Sequence, residues 1–223
     1  MPVIVKIGAL LLAYLIGSIP TSVWIGRIFY GIDIREHGSG NAGTTNTFRV
    51  LGIKAGIPVL IIDVLKGFGA VKLILLADYY IPGSNAFINS SIALGAFAVL
   101  GHIFPIYVGF RGGKGVATLL GVVIAIHFQA AMVAIGIFII MLLISRYVSL
   151  SSMFAGLAFP ISLLVIFKAT TISLIIFSFI VFVLLLLTHQ QNIERLFKHE
   201  ESKANLFKRK RRKEEEEDNN EEE

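Results

Sequence analysis

Residues 116–145 form an unbroken run of 30 uncharged residues, most of them apolar. As a single helix the run would be about 45 Å long. That is too long for one ordinary crossing of a hydrocarbon core of roughly 30 Å and short for two. The polar trio His127-Phe128-Gln129 sits near its middle. Five further apolar stretches run at 3–26, 57–80, 86–108, 147–167 and 169–188. The chain is 55% hydrophobic and 16% charged, whereas a soluble domain is nearer a quarter charged. Disorder, collagen-like structure and an ordinary soluble enzyme are excluded, and the chain reads as an integral membrane protein. The first stretch holds one charge, Lys6, and no Ala-x-Ala-like site, so it reads as a retained span and not a signal peptide.

Charge placement gives the sidedness. Outside the tail (208–223) there are 14 Lys and Arg, and ten of them fall in four groups. These are Arg27, Arg35, Arg49 and Lys54; Arg111 and Lys114; Arg146; and Arg195, Lys198 and Lys203. The connection 81–85 carries no charge. The positive-inside rule puts the first, second and fourth groups in the cytoplasm, which spans one to three satisfy with the N-terminus outside. If 116–145 crosses once, Arg146 and the basic tail fall outside. If it crosses twice, as two short helices meeting near His127, both return to the cytoplasm. The expected fold is therefore all-α, with about seven transmembrane helices, two of them short, an external N-terminus and a cytoplasmic C-terminus. Non-helical backbone at that depth must line protein or water. Residues 1–203 form the expected membrane domain. Residues 204–223, with Lys208-Arg209-Lys210-Arg211-Arg212-Lys213 and then eight acidic residues, read as a disordered tail whose basic run can touch anionic lipid. Nucleic acid is not an expected partner.

The polar chemistry gathers in three places on the expected cytoplasmic side. Eleven of the 21 glycines lie in the windows 29–56 and 109–121. The first window holds His37-Gly38-Ser39-Gly40-Asn41-Ala42-Gly43-Thr44-Thr45-Asn46-Thr47-Phe48-Arg49, rich in hydroxyls and poor in packing side chains. Long ordered loops are disproportionately functional, although Ser39 and Asn41 also suit ordinary helix N-caps. The second window, Gly109-Phe110-Arg111-Gly112-Gly113-Lys114-Gly115-Val116-Ala117-Thr118, sets two cations and three close-set glycines before a helical span. Glycine amides and a helix N-terminus make an anion nest to which Lys114 adds charge; a flexible basic turn is the plainer alternative. The window is not a Walker A loop, because Val108 and Gly115 stand where that pattern needs Gly and Ser/Thr. The third cluster offers His189, Asn192 and Arg195 at i, i+3 and i+6, which is either a polar face for a phosphoryl or carbonyl oxygen or a polar helix end.

Elsewhere the residues say less. Asp63 and Lys66 lie within the second span at i, i+3, where intramembrane charges are functional candidates by default. Mutual neutralisation is the preferred account for Asp63, while Lys66 and Lys72 either face a polar cavity or snorkel. His102 and His199 read as structural or solvated. Glu194 follows His189 as in the His-x4-Asp signature of glycerolipid acyltransferases, but five residues make about 500° of helix, which splays the pair apart. There is no cysteine, and the five histidines show no metal-ligand spacing. No metal and no cofactor are expected.

Together the windows resemble the bacterial PlsY family, the acyl-phosphate:glycerol-3-phosphate acyltransferases, over nearly the whole chain to about Lys203. The resemblance rests on Gly17-Ser18-Ile19-Pro20, on Ser39-Gly40-Asn41 through Thr45-Asn46 and Arg49, and on Gly101-His102 with Phe104-Pro105. It continues through Gly112 to Thr118 and through His189, Asn192-Ile193, Arg195-Leu196, Glu201 and Lys203. Arg111 stands where the family usually has Lys, Gln190 where it has Arg, and His199-Glu200 where it has Gly-Thr, the last altering a helix-ending signal. The resemblance implies acyl transfer from acyl phosphate to the 1-hydroxyl of glycerol 3-phosphate, giving lysophosphatidate and phosphate at the cytoplasmic face of the bacterial inner membrane. It also implies a seven-helix fold and membrane lipid as surroundings. Gly112, Gly113, Lys114 and Gly115 are the implied acceptor site. Ser39, His189 and Asn192 are the implied catalytic residues: Ser39, with Gly40, Asn41, Thr45, Asn46 and Arg49, would position the acyl phosphate and stabilise charge on its leaving phosphate or carbonyl oxygen, and His189 and Asn192 would orient the attacking hydroxyl. Either His189 or a substrate phosphate would take the proton. An organic-phosphate transporter is the rival; it would show an internal repeat and a polar path to both faces.

Overall fold

The computed structural model describes residues 3–76, 81 and 83–204. The last residues of the expected span 57–80 and nearly all of the tail at 204–223 lie outside the described residues. Among the described residues ten α-helices follow one another: α1 Val3–Gly17, α2 Thr21–Tyr30, α3 Thr44–Leu51, α4 Ile53–Lys72, α5 Asn85–Ile103, α6 Val116–Ile126, α7 Phe128–Ser145, α8 Val148–Ile161, α9 Ile172–Thr188 and α10 Gln190–Phe197. No strand occurs among the described residues.

The long uncharged run is two helices. α6 ends at Ile126, and His127 caps α7 by accepting from the Ala130 amide at 3.2 Å through Nδ1. An imidazole that satisfies a helix-start amide turns the chain where an apolar residue would have continued the helix. Of the two short helices expected, α6 is short, with 11 residues, while α7, with 18, reaches spanning length on its own. The first apolar stretch also differs from the single helix expected over 3–26. It breaks after Gly17, and α2 leaves α1 at 40°. Pro20 has no N–H to give and its ring clashes with the preceding turn, so the chain tightens there, with the Ile19 amide on Ile16 O at 3.3 Å.

By length and apolarity, Asn85–Val108, Phe128–Ser145 and Val148–Ile166 can each cross a membrane, and up to five segments qualify if the bent pairs α1–α2 and α9–α10 each count as one. The outer faces of α7, α8 and α9 expose Ile140, Leu143, Ile161, Ile176 and Ile180 to the surroundings, as hydrocarbon requires. The core between α5, α6, α8 and α9 is apolar, built on Val99, Val122, Phe159, Leu163, Phe177 and Val181.

Close approach of the helices depends on missing side chains. A Cβ on Gly17 would strike the Ala98 backbone and one on Gly101 the Tyr14 carbonyl, which brings α1 against α5. Likewise Gly67 faces Thr118 O and Gly121 faces Val64 O, which brings α4 against α6. In hydrocarbon, packing contacts replace the hydrophobic drive, so small residues mark such interfaces.

Polar contacts sort the connections onto two ends. At one end Thr171 Oγ1 donates to Asn85 Oδ1 at 3.1 Å, Ser173 bonds Asn89, and the His127 and Phe167 rings lie 5.0 Å apart. At the other, Tyr14 Oη donates to Phe104 O at 2.7 Å, Arg35 Nη1 to Val108 O at 2.8 Å and the Ala204 amide to Arg146 O at 2.7 Å. The glycine-rich windows and α10 lie at this second end.

Gly121→Leu should force α4 and α6 apart and cost about 1–3 kcal/mol, seen as a lower thermal midpoint in detergent. Gly136→Leu, where a Cβ meets open space, should leave the midpoint unchanged.

Candidate functional site

A carboxylate organises the polar end. Asp33 caps the 3₁₀ turn Ile34–Glu36 by accepting from the Arg35 amide at 3.0 Å. It pairs with Arg35 at 2.7 Å and Arg27 at 2.8 Å. The Arg35 guanidinium beside it holds the Asp33 carboxyl well below the usual carboxylate range, with Arg27 adding to the effect against the cost of burial. Arg35 also reaches Val108 O, so this strap joins the first glycine window to the second.

Within the first window the loop before α3 is wound by Gly38 and Gly40, at φ +62° and +72°. Asn46 staples it: its Oδ1 accepts from the Ser39 amide at 2.8 Å, and its Nδ2 donates to Ile34 O at 3.0 Å and His37 O at 2.9 Å. Asn46 is 2% exposed and its amide is fully committed to the loop. Ser39, Gly40, Thr45 and Arg49 are exposed, and Asn41 is half-buried beside Gly43. At the start of α3 the buried Thr44 hydroxyl has no hydrogen-bond partner among the described residues. The first-turn amides of a helix are likewise left over.

The second window is hung on the end of α5. The Gly112 amide donates to Ile103 O at 3.1 Å and the Gly113 amide to His102 O at 3.2 Å. These two glycines therefore do not offer their N–H groups to an anion. They supply close approach, since a Cβ on either would enter the α5 terminus. The amides of Lys114 and Gly115, by contrast, have no acceptor among the described residues. Gly115, at φ +79°, opens α6.

The third cluster closes over this turn. Lys114 Nζ donates to Asn192 Oδ1, and Asn192 Nδ2 donates to Glu201 Oε1 at 2.7 Å. Glu201 also accepts from Arg195 Nε at 2.8 Å and from Ser149 Oγ at 2.8 Å. Burial works against the Glu201 charge, but the bonds from Arg195, Asn192 and Ser149 outweigh it and hold the carboxyl below its ordinary range. Burial pushes Lys114 down to about 8; Glu201 resists, while Arg195 and Arg49 assist. His189, just past the end of α9, points Nδ1 at Leu185 O, 2.7 Å away. A carbonyl only accepts, so Nδ1 carries the proton and Nε2 is left as an acceptor. Burial, then the Lys114 charge, lowers His189 to about 4, against the Leu185 carbonyl and Glu201. The ring is neutral at pH 7.

Glu194 points away, paired with Lys198 at 2.6 Å. His199 takes φ +58°, and the turn closes with the Glu200 amide on Arg195 O at 2.8 Å. The helix thus ends in the left-handed manner that glycine favours even with His in that place. Ser149 had no signal in the sequence, because a lone serine at the start of an apolar helix looks like packing.

Glu201→Gln should weaken three donor contacts at once. The expected loss is about 1–3 kcal/mol, read as a fall in thermal midpoint, with Ser149→Ala costing less than half as much.

Residues 7–199 match the family model described as glycerol-3-phosphate acyltransferase. A glycerol-3-phosphate acyltransferase of Staphylococcus carnosus is 44% identical over 195 residues, covering 87% of this chain and 95% of that protein. One of Chlorobaculum tepidum is 40% identical over 223 residues, covering 89% and 96%. Two crystal structures of PlsY, described as an integral membrane glycerol 3-phosphate acyltransferase, superpose with TM-scores of 0.78 and 0.76 at 34% identity. They cover 89% of this chain and 95% and 94% of theirs, one in a glycerol 3-phosphate form and one in a lysophosphatidic acid form.

Proposed function

The chain belongs to the glycerol-3-phosphate acyltransferase family, and we propose that it acylates the 1-hydroxyl of glycerol 3-phosphate with acyl phosphate as donor. The observation that carries this reading is the convergence of Asn192, Arg195 and Ser149 on Glu201, with Lys114 bonded to Asn192 and His189 near enough to feel the charges of Lys114 and Glu201, all joined by the Arg35 strap to the hydroxyl-rich loop before α3. Two phosphates need two anion pockets. Lys114 and the start of α6 suit the acceptor phosphate, and the start of α3 with Thr44, Thr45, Ser39 and Arg49 suits the acyl phosphate.

In the reaction the hydroxyl oxygen attacks the acyl carbon. The bond from that carbon to the bridging phosphate oxygen breaks, and inorganic phosphate leaves with the electron pair. The proton passes to His189 Nε2 or to a phosphate oxygen. Acyl phosphate is already activated, so orientation and charge stabilisation carry much of the barrier. Asn192, between Lys114 and Glu201, fixes the ammonium; Asn46 fixes the loop.

The same reading places seven crossings in the membrane: α1, α4, α5, α6, α7, α8 and α9. It gives an external N-terminus, a cytoplasmic site and the bacterial inner membrane as location, with lipid around the bundle and residues 204–223 as a tail. What supports it is that Arg35, Arg49, Arg111, Lys114, Arg146 and Arg195 lie at the polar end of the bundle, while Lys168 lies toward the other, between α8 and α9. A bundle with its polar chemistry at one end suits an enzyme better than a transporter.

Purified protein incubated with acyl phosphate and glycerol 3-phosphate should yield lysophosphatidate and phosphate. Product from an acyl-CoA or acyl carrier protein thioester, with none from acyl phosphate, would overturn the donor.

Because the Lys114 value is lowered to about 8, its charge is present below that pH and lost above it. KM for glycerol 3-phosphate should therefore climb above about pH 8, well below the range of an ordinary lysine. Glu201→Gln removes an anion that favours the ammonium and should move the climb to lower pH. If His189→Asn keeps near-normal turnover with the acceptor still bound, the proton goes to phosphate and not to His189.

A further inference from the structure

Beneath the Gly112–Lys114 turn lies a polar cluster that the reaction does not use. Asp63 and Lys66 of α4 form an ion pair at 2.9 Å, their side chains 2% and 4% exposed. A buried pair of this kind is weak as a source of stability, because desolvating two charges offsets their attraction. Its bonds run instead to other elements. Thr21 Oγ1, at the start of α2, donates to Asp63 Oδ1 at 3.0 Å, and Lys66 Nζ donates to Ile19 O at 2.9 Å. That carbonyl lies in the break between α1 and α2, where it also accepts from the Thr21 amide at 3.0 Å, so the pair supplies a second donor to a backbone group of the break.

On its other side the pair faces His102. Asp63 Oδ1 is 3.9 Å from His102 Nδ1, which lies 3.0 Å from Thr118 Oγ1. Thr118 is four residues past Lys114, in the first turn of α6. The other ring nitrogen, Nε2, lies against Gly113: a Cβ there would run into it and would come within 2.8 Å of Ala42 O. His102 O meanwhile holds the Gly113 amide. The imidazole is thus the floor of the turn. Its orientation is set by Thr118, its back is set by the ion pair, and its edge meets the point where the two windows touch.

We propose that His102, backed by Asp63 and Lys66, is a positioning residue for acyl transfer: it sets the height of Gly113 and hence the aim of Lys114 at the acceptor phosphate. The inference rests on the reading of this turn as the glycerol phosphate site.

The test uses the full chain in detergent, with a long-chain acyl phosphate and glycerol 3-phosphate varied in turn. His102→Ala should raise KM for glycerol 3-phosphate about tenfold, with KM for acyl phosphate unchanged and a smaller effect on kcat. His102→Asn, whose amide can meet Thr118 in place of Nδ1, should recover most of the loss. Thr118→Val, which frees the ring without changing its volume, should move the same KM in the same direction. Gly113→Ala should cost less in the His102→Ala background than in the native chain, by a factor of about ten.

An unchanged acceptor KM in both His102→Ala and Thr118→Val overturns the proposal. So does a parallel loss in kcat and both KM values that His102→Asn does not repair, because that marks a general structural role. If His102→Ala does not fold, Thr118→Val decides alone. Lys114→Ala separates the two layers of inference. Should it leave the acceptor KM unchanged, the turn is not the acceptor site and the proposal falls with that reading. Should it raise the KM while the His102 and Thr118 variants do not, the positioning role alone is lost.

Discussion

The closure of α10 over the polar end depends on one carboxylate. Glu201 lies beyond α10, yet it accepts from Ser149 at the start of α8 and from Asn192 and Arg195 on α10. It thereby fixes the angle at which α10 returns over the bundle, 59° from α9. That return sets Asn192 against Lys114. Without the anion, Arg195, Arg49 and Lys114 would be cations near one another in a partly dry pocket, and repulsion at low effective dielectric would open it. The carboxylate does two jobs with the same oxygens: it holds three elements in register and it makes a half-buried lysine tolerable.

The bilayer imposes the second constraint. Backbone that is not helical must find partners inside the protein, and three irregular stretches among the described residues do so. The α1–α2 break is met by Lys66, the α6–α7 break by His127 and the Gly112–Gly113 turn by the last carbonyls of α5. Glycine serves this end by letting backbones meet, at Gly17 and Gly101 for α1 with α5 and at Gly67 and Gly121 for α4 with α6.

Much of this is legible in the chain and some is not. The division of 116–145 follows from its length, its polar trio and the placement of basic residues, and the helices part at that trio. Pro20 carries the signal for the first break, but hydropathy alone runs straight through it. The three windows are legible as clusters because glycines, hydroxyls and cations concentrate there against an apolar background. The work of individual residues is less so. Gly112 and Gly113 look like amide donors for an anion, yet their amides are spent on α5, because the turn must satisfy a helix C-terminus before it can serve a ligand. Asn46 looks like a ligand for substrate, yet its side chain is consumed by its own loop. Ser149 gives no signal, because its partner stands 52 residues away. Spacing describes what shares a helix face; it does not describe which distant carboxylate will claim a hydroxyl.

The electrostatics of Lys114 follow from these assignments. A lysine on a flexible surface turn would keep its charge far above neutral pH and would bind phosphate loosely, as one mobile point charge among many. Here the turn is fixed by two backbone bonds to α5, and the ammonium is fixed by Asn192, so little side-chain freedom remains to be lost on binding. Burial brings its value down to about 8, near the point where the charge becomes conditional. In the proposed acceptor site, a phosphate bound there would add negative charge beside a partly desolvated ammonium and so favour the protonated form. On that reading binding and charge would reinforce each other: the anion would secure the cation that holds it.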